Sequence, residues 1–212
     1  MANIVAGFGV PHTPVFPFFV KRDGPDCETA KLFAAQKEQL AAVRPDVIVM
    51  FDTDHLNTFF LDNLPIFAVG VDKSFSGPND EPREMPVYRI PSSIDLAAHI
   101  RAASIAAGFD AALTQHYSVD HSVAVPLHFL TPDMHVPVIP FFISGHVPPL
   151  PSAQRCYALG KQSRAPLRHG LRRCASWSWA AAAFRSKSPA RAWRPAAPTA
   201  CPIRIGRGGS SS

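Results

Sequence analysis

Residues 47–51 are apolar at every position, which is typical of a strand buried on both faces of a sheet. Such strands belong to sheets that helices cover on both sides. Further apolar runs of strand character and two segments of helical periodicity alternate along the chain: strands at 3–10, 66–71 and 136–143, helices at Glu28–Val43 and 93–108. The alternation predicts the α/β class, with one domain built on a buried mixed or parallel sheet flanked by helices.

A polar, proline-rich stretch at 76–91 separates the third predicted strand from the second predicted helix. It is long for a connection inside a compact domain, and connections of this length often carry function. We therefore expect it to form a functional loop over a site.

Charge divides the 212 residues into two parts. All 16 acidic residues lie at or before Asp133, whereas 10 of the 21 basic residues lie in 162–212. That second part is free of acidic residues and contains all three tryptophans. A basic arm can indicate nucleic-acid binding, but the tryptophans and the alanine run at 180–183 are untypical of one. We expect no nucleic-acid partner and no membrane partner.

The four cysteines form neither a Cys-x-x-Cys pair nor a zinc-binding spacing, which favours a reducing compartment. The N-terminal apolar run lacks a basic segment before it and is broken by Pro11, Pro14 and Pro17, unlike a signal peptide. No apolar run is long enough to span a bilayer. The sequence therefore predicts a cytoplasmic protein.

His12 and His55 each follow an apolar run of strand character. Because ligands bind at the carboxyl ends of strands in open α/β sheets, we expect both imidazoles to line one cleft. Imidazole binds Fe, Zn, Cu and Ni alike, so the pattern predicts two metal ligands without naming the metal. A single histidine of this kind is more simply a loop or capping residue. Asp52 and Asp54 are either acceptors for a ligand histidine or caps of the next turn.

His121 follows Asp120 at the start of an apolar segment. Since an unperturbed histidine titrates near neutral pH, His121 is a candidate acid or base. A histidine that caps a helix explains these residues equally well. Four other histidines are interpreted as structural or incidental: His99, His135, His146 and His169.

Four motifs occur in the order and approximate spacing of one enzyme family: His12-Thr13-Pro14, Asp54-His55, Asp120-His121 with Val125-Pro126-Leu127, and the Pro-Ser-x-x-Arg-Cys-x-Ala-Leu-Gly segment at 151–160. On these motifs the chain resembles the class III extradiol ring-cleavage dioxygenases. It is most similar to the catalytic β subunit of protocatechuate 4,5-dioxygenase and to the gallate dioxygenases. The resemblance covers residues 1–161, which would be the N-terminal part of the catalytic domain.

The resemblance implies a metal site and a reaction. His12 and His55 would be the two histidine ligands of Fe(II), and His121 would be a catalytic histidine that acts on the substrate and on oxygen. The reaction would be O2-dependent meta cleavage of a catechol-type aromatic acid. A homo-oligomer, with or without a small accessory subunit, would be the assembly.

The chain departs from the family after residue 161. The family's glutamate ligand and its Gly-Gly-x-Ser-His motif follow the segment matched at 151–160, and neither is present here. The composition of 162–212 is that of a GC-rich gene read in a shifted frame. One back-translation from Cys174, read from the third base of each codon, gives Arg, four Val and then a Gly-rich turn. We therefore expect 162–212 to be an unstructured frameshift product and the activity of this chain to be impaired.

Two other functions are compatible with the residues. One is a non-catalytic metal-binding or interaction domain that carries a basic arm. The other is a zinc hydrolase built on the same histidines.

Overall fold

The computed structural model of the chain describes residues 4–162 and, for the main chain alone, residues 174–178. These residues form eight strands and five helices: β1 (Ile4–Gly9), α1 (Phe16–Asp23), α2 (Glu28–Val43), β2 (Ile48–Asp52), β3 (Phe67–Gly70), β4 (Ser74–Gly77), β5 (Tyr88–Pro91), α3 (Ile94–Ala106), β6 (Ala112–Thr114), α4 (His121–Leu130), β7 (Val138–Ile143), α5 (Ala153–Gln162) and β8 (Cys174–Ser178). Within these ranges no helix is both long and apolar enough to cross a membrane.

Six strands form one mixed sheet in the order β1-β8-β2-β7-β3-β6. Strands β1, β8, β2 and β7 run parallel to one another. Strand β3 pairs antiparallel with β7 and parallel with β6. The α/β prediction is therefore confirmed. Because β1, β2 and β7 point the same way, the loops that follow them leave the sheet at the same edge.

Strand β2 is buried on both faces, as its continuous apolar run predicts. Ile48 and Met50 pack in one hydrophobic cluster, and Val47 and Val49 pack in a second cluster. Because successive side chains of a strand point to opposite faces, the two clusters lie on opposite faces of the sheet. This core fixes the ends of β2, and with them the loop that carries His55.

Strand β8 departs from the expectation of an unstructured tail. Its main chain lies between β1 and β2, where Cys174 pairs with Ile4 and Ala175 pairs with Ile48. A strand in this position gives the main-chain groups of both neighbours a hydrogen-bonding partner, whatever its side chains are. The expectation for 163–173 and 179–212 lies outside the described residues.

The polar stretch at 76–91 is in part a hairpin. Strands β4 and β5 pair antiparallel, with Phe75 opposite Ile90, and both of these side chains are buried. Pairing across the stretch leaves residues 78–87 as the loop. Gly77 begins that loop at a close approach, since a Cβ there would lie 2.3 Å from the carbonyl oxygen of Val119.

Candidate metal centre

Three histidines meet at the carboxyl edge of the sheet. His12 follows β1, His55 follows β2, and His121 is the first residue of α4. The ring centroids are 5.4 Å apart for His12 and His55, 4.2 Å for His55 and His121, and 5.8 Å for His12 and His121. One ring nitrogen from each of the three lies within 4.8 Å of the others. The structure thus brings together all three site residues that the sequence predicts.

Asp120 holds His55 in place. Its Oδ2 atom accepts the main-chain N–H of His55 at 2.9 Å and lies 2.7 Å from the Nδ1 atom of the same residue. Burial alone raises the pKa of Asp120, but hydrogen bonds from Ser122 and His55 outweigh it and leave that pKa below its ordinary value. An ionised carboxylate only accepts, so Nδ1 of His55 carries the proton and Nε2 is the nitrogen available to a metal.

Asp80 holds His121 in the same way. Its Oδ1 atom accepts the main-chain N–H of His121 at 3.1 Å, and its Oδ2 atom contacts Nδ1 of the ring. Asp80 comes from the loop between β4 and β5, 41 residues before its partner. The length of this loop predicts a functional role. The residue itself is not predictable from the sequence, because nothing in the local pattern shows which of the loop's carboxylates would reach the histidines.

Asp54 caps the turn after β2, one of the two roles left open by the sequence. Its carboxylate accepts the main-chain N–H groups of Asn57, Thr58 and Phe59 at distances between 2.9 and 3.2 Å. Burial nevertheless raises its pKa above the ordinary value. The turn that Asp54 stabilises begins directly after His55, so it fixes the direction of the main chain at that histidine.

Asp52 is the last residue of β2 and is buried. The hydroxyl of Tyr117 donates to its Oδ2 atom at 3.3 Å, whereas Oδ1 has no partner among the described residues. The hydroxyl of Ser122 lies 3.5 Å from Oδ2 and donates to Asp120 at 2.5 Å. Burial and the neighbouring carboxylates of Asp120 and Asp54 raise the pKa of Asp52 well above its ordinary value. The described hydrogen-bonding groups around Oδ2 of Asp52 are thus the hydroxyls of Tyr117 and Ser122, and not a nitrogen of the three histidines.

A cavity of about 510 Å³ opens above the histidines. Residues 9–14, His55 and His121 line it. Burial, followed by the nearby imidazoles of His55 and His121, lowers the pKa of His12. His12 is thus held in the neutral form, which is the form that binds metals.

His146 is a residue near the site that the sequence analysis missed. Its ring centroid lies 4.6 Å from that of His55, although the sequence gave no reason to treat it as more than incidental. His146 follows β7, and β7 is parallel to β2. Because residues that follow parallel strands share one edge of the sheet, the position of His146 after an apolar run of strand character is the signal that indicates its place beside His55.

The donor set fits a divalent transition metal. Three imidazoles converge, and carboxylates fix the Nδ1 atoms of two of them, which is the usual outer support of metal-binding histidines. In the part of the chain that is described, no carboxylate joins the cluster of His12, His55 and His121. Imidazole donors suit Fe, Zn, Cu and Ni, so the geometry establishes a candidate metal site and leaves the metal open.

Comparison with known proteins gives one family and a group of similar relatives. The family described as the catalytic LigB subunit of aromatic ring-opening dioxygenase matches residues 6–167. The similar relatives include three Escherichia coli enzymes named 2,3-dihydroxyphenylpropionate/2,3-dihydroxicinnamic acid 1,2-dioxygenase, from strain 55989 / EAEC, O139:H28 strain E24377A / ETEC and strain K12 / DH10B. Each of the three is 37% identical to this chain over 136 residues. Each match covers 63% of this chain and 42% of the relative, so the chain matches about two fifths of the length of these relatives.

Proposed function

We propose, from the premise that this chain belongs to the family of catalytic LigB subunits of aromatic ring-opening dioxygenases, that its site serves extradiol cleavage of a catechol-type aromatic acid by O2. The convergence of His12, His55 and His121 under one cavity carries the proposal. The names of the relatives describe aromatic acids with two adjacent hydroxyl groups, which is the substrate class we infer here.

We infer that the metal is Fe(II) and that His12 and His55 are its histidine ligands. Bound there, Fe(II) would supply a redox-active Lewis acid that brings the catechol and O2 together. Asp120 orients the ring of His55, and burial keeps His12 unprotonated. The restrained ring of His55 and the unprotonated ring of His12 both favour metal retention.

His121 acts on the reactants in this proposal. It lines the cavity, its side chain is only 9% exposed, and its Nδ1 atom is engaged by Asp80. The remaining nitrogen, Nε2, is the one able to accept a proton from a catechol hydroxyl and to return it later.

We further propose that residues 1–161 are the N-terminal part of a catalytic domain and that 162–212 arise from a shifted reading frame. The family match ends at residue 167, and the change in composition begins near that point. The third metal ligand would be a glutamate encoded in the original frame. For the complete protein we infer a cytoplasmic homo-oligomer, with or without a small accessory subunit.

Two proteins compared side by side test the function: this chain and a version with the restored frame. Both are reconstituted with Fe(II) without air, and oxygen uptake is then measured with a panel of catechols with and without a carboxylate. We expect substantial uptake by the restored version with a catecholic acid and negligible uptake by this chain. The proposal is wrong if the restored version retains iron and consumes no oxygen with any catechol.

A metal-binding domain without turnover is the second candidate, because the described cluster consists of imidazoles alone. Three histidines also form the ligand set of well-known zinc sites. Stoichiometric zinc binding by both versions, with no oxygen uptake after iron loading, would favour this alternative.

A further inference from the structure

We propose that Asp80 is a positioning residue that sets the tautomer and the orientation of the His121 imidazole. This inference rests on the proposed role of His121 as the residue that exchanges a proton with the substrate. Asp80 does not line the cavity, and among the three histidines its carboxylate contacts His121. With Asp120 and His121 it forms a second group whose ligand atoms lie within 4.8 Å of one another. Its effect on the reaction therefore passes through His121.

The contacts between the two residues restrain both the main chain and the ring. One oxygen of Asp80 accepts the main-chain N–H of His121, and the other contacts Nδ1 of the imidazole. The side chains are 16% and 9% exposed, so water competes little for either contact. Two contacts from one carboxylate fix the position of the first residue of α4 and the rotation of its ring.

Asp120 cannot take over this role, although it is adjacent in sequence. Its Oδ2 atom already accepts the main-chain N–H of His55 and contacts His55 Nδ1, and its Oδ1 atom accepts from Ser122. The Oδ2 atom is 4.0 Å from His121 Nδ1, too far for a hydrogen bond. Each of the two histidines thus has a carboxylate of its own.

The loop that carries Asp80 is fastened on both sides of the site. Next to Asp80, the main-chain N–H of Asn79 donates to the carbonyl oxygen of Val119 at 3.0 Å. The side-chain amide of Asn79 donates to the carbonyl oxygen of Asn57 at 3.1 Å. The loop is therefore tied to the segment before His121 and to the turn after His55.

The arrangement has a definite chemical consequence. A carboxylate accepts and does not donate, so the proton shared with Asp80 lies on Nδ1 of the neutral ring. The lone pair then lies on Nε2, the nitrogen left for the cavity. In this tautomer His121 begins as a proton acceptor: the catechol O–H bond breaks, the proton moves to Nε2, and the electron pair stays on the oxygen.

The tautomer can be measured by ¹⁵N NMR on the full chain with labelled histidine, at a pH of about 8.5 where imidazole is neutral. His121→Gln assigns the signals. We expect Nδ1 of His121 to be the protonated nitrogen in the parent protein and the population to become mixed in Asp80→Ala and Asp80→Asn. Glu81→Gln is the matched control, because it removes the same charge from the exposed neighbouring residue.

Kinetics in the frame-restored protein provide the second readout. We expect Asp80→Asn to lower kcat about 10²-fold, with KM and bound metal unchanged and with recovery in Asp80→Glu.

Protonated Nε2 in the parent protein, or an unchanged tautomer in a folded Asp80→Asn variant, overturns the proposal. Loss of metal from Asp80→Asn also overturns it, because Asp80, Asp120 and His121 would then bind an ion themselves. The NMR result needs no turnover, so it stands if the proposed function fails.

Discussion

The Nδ1 atom of His55 lies 2.7 Å from a carboxylate oxygen of Asp120, a residue 65 positions further along the chain. The other oxygen of the same carboxylate accepts the main-chain N–H of Ser122 and so caps the start of α4. One side chain therefore links the loop after β2 to the helix that begins with His121. Asp120 thus helps to set the position of His55 relative to His121, while Asp80 restrains His121 separately.

Asp120→Asn should weaken metal binding about 10- to 100-fold, because the ring of His55 loses the partner that fixes its tautomer. Titration of the metal-free protein with Co(II), followed by its absorption spectrum, measures the affinity. Asp133→Asn is the control, since Asp133 contacts an exposed histidine, His135, outside the metal cluster. Equal affinity for the parent and Asp120→Asn would contradict the assigned role.

The hydrophobic pattern predicts the elements that form the core. The helix expected at Glu28–Val43 has those bounds, and the strands expected at 66–71 and 136–143 occur as Phe67–Gly70 and Val138–Ile143. These segments bury apolar side chains at regular intervals, and burial is what the pattern records. The β4–β5 hairpin was missed because its strands are short and contain Gly77 and Pro91, residues that are depleted in strands.

The site was predictable as far as strand ends determine it. His12 and His55 follow from the rule that ligands bind at the carboxyl edge of an α/β sheet. The partners of His55 and His121 did not follow, because Asp120 and Asp80 reach them across 65 and 41 residues. Such pairings depend on tertiary packing, which a local pattern does not contain.

Replacing either His12 or His55 with alanine should abolish metal retention. Each change removes an imidazole from the cluster. The loss of metal affinity should therefore exceed the roughly 10- to 100-fold loss expected for Asp120→Asn, which removes only a hydrogen-bond partner of a ligand. Metal content after gel filtration, measured by elemental analysis, gives the result. His121→Ala should leave the metal in place and lower turnover of the frame-restored protein about 10²- to 10⁴-fold.

His135→Ala serves as the control for these three variants because its ring is exposed and contacts Asp133. It should match the parent protein in metal content and in turnover. Metal loss in His121→Ala equal to that in His12→Ala would make His121 a ligand and would end the division of roles proposed here.

Asp52→Asn should flatten the dependence of stability on pH. The pKa of Asp52 is raised in the folded protein, so the folded state keeps a proton that the unfolded chain releases. Its contribution to stability is complete below the unfolded pKa and is lost as pH rises toward the folded pKa. The parent protein should therefore lose stability over this range, and the variant should lose less.

Urea unfolding at a series of pH values from about 4 upward measures this difference, since the unfolded pKa of aspartate is about 3.9. Asp62→Asn, at an exposed position in the loop after β2, is the control and should retain the slope of the parent protein. Identical slopes for the parent and Asp52→Asn would show that Asp52 does not hold a proton in the folded state.

Gly77→Ala should destabilise the protein by about 1–3 kcal/mol, because the added methyl group would lie 2.3 Å from the carbonyl oxygen of Val119. Gly160→Ala is the opposite case. Gly160 lies inside α5, and outside its chain neighbours and the backbone of its own helix no heavy atom of the described residues lies within 4 Å of its Cβ position. Alanine there should therefore stabilise the protein by about 0.5–1 kcal/mol. Thermal unfolding of both variants checks the signs, and a stable Gly77→Ala would mean that the hairpin does not approach Val119 so closely.

Restoring the reading frame near codons 160–170 should give a protein that binds Fe(II) firmly and consumes O2 with a catecholic acid. Strand β8 lies between β1 and β2, a position in a parallel sheet where a continuous apolar run is expected. Its residues, Cys-Ala-Ser-Trp-Ser, do not form such a run, whereas the back-translated alternative begins with Arg and four valines. The restored segment would fill the same position in the sheet and supply the glutamate that completes the ligand set. The nucleotide sequence tests this first, and an early stop codon or the absence of a downstream glutamate in the alternative frame would favour the metal-binding domain without turnover.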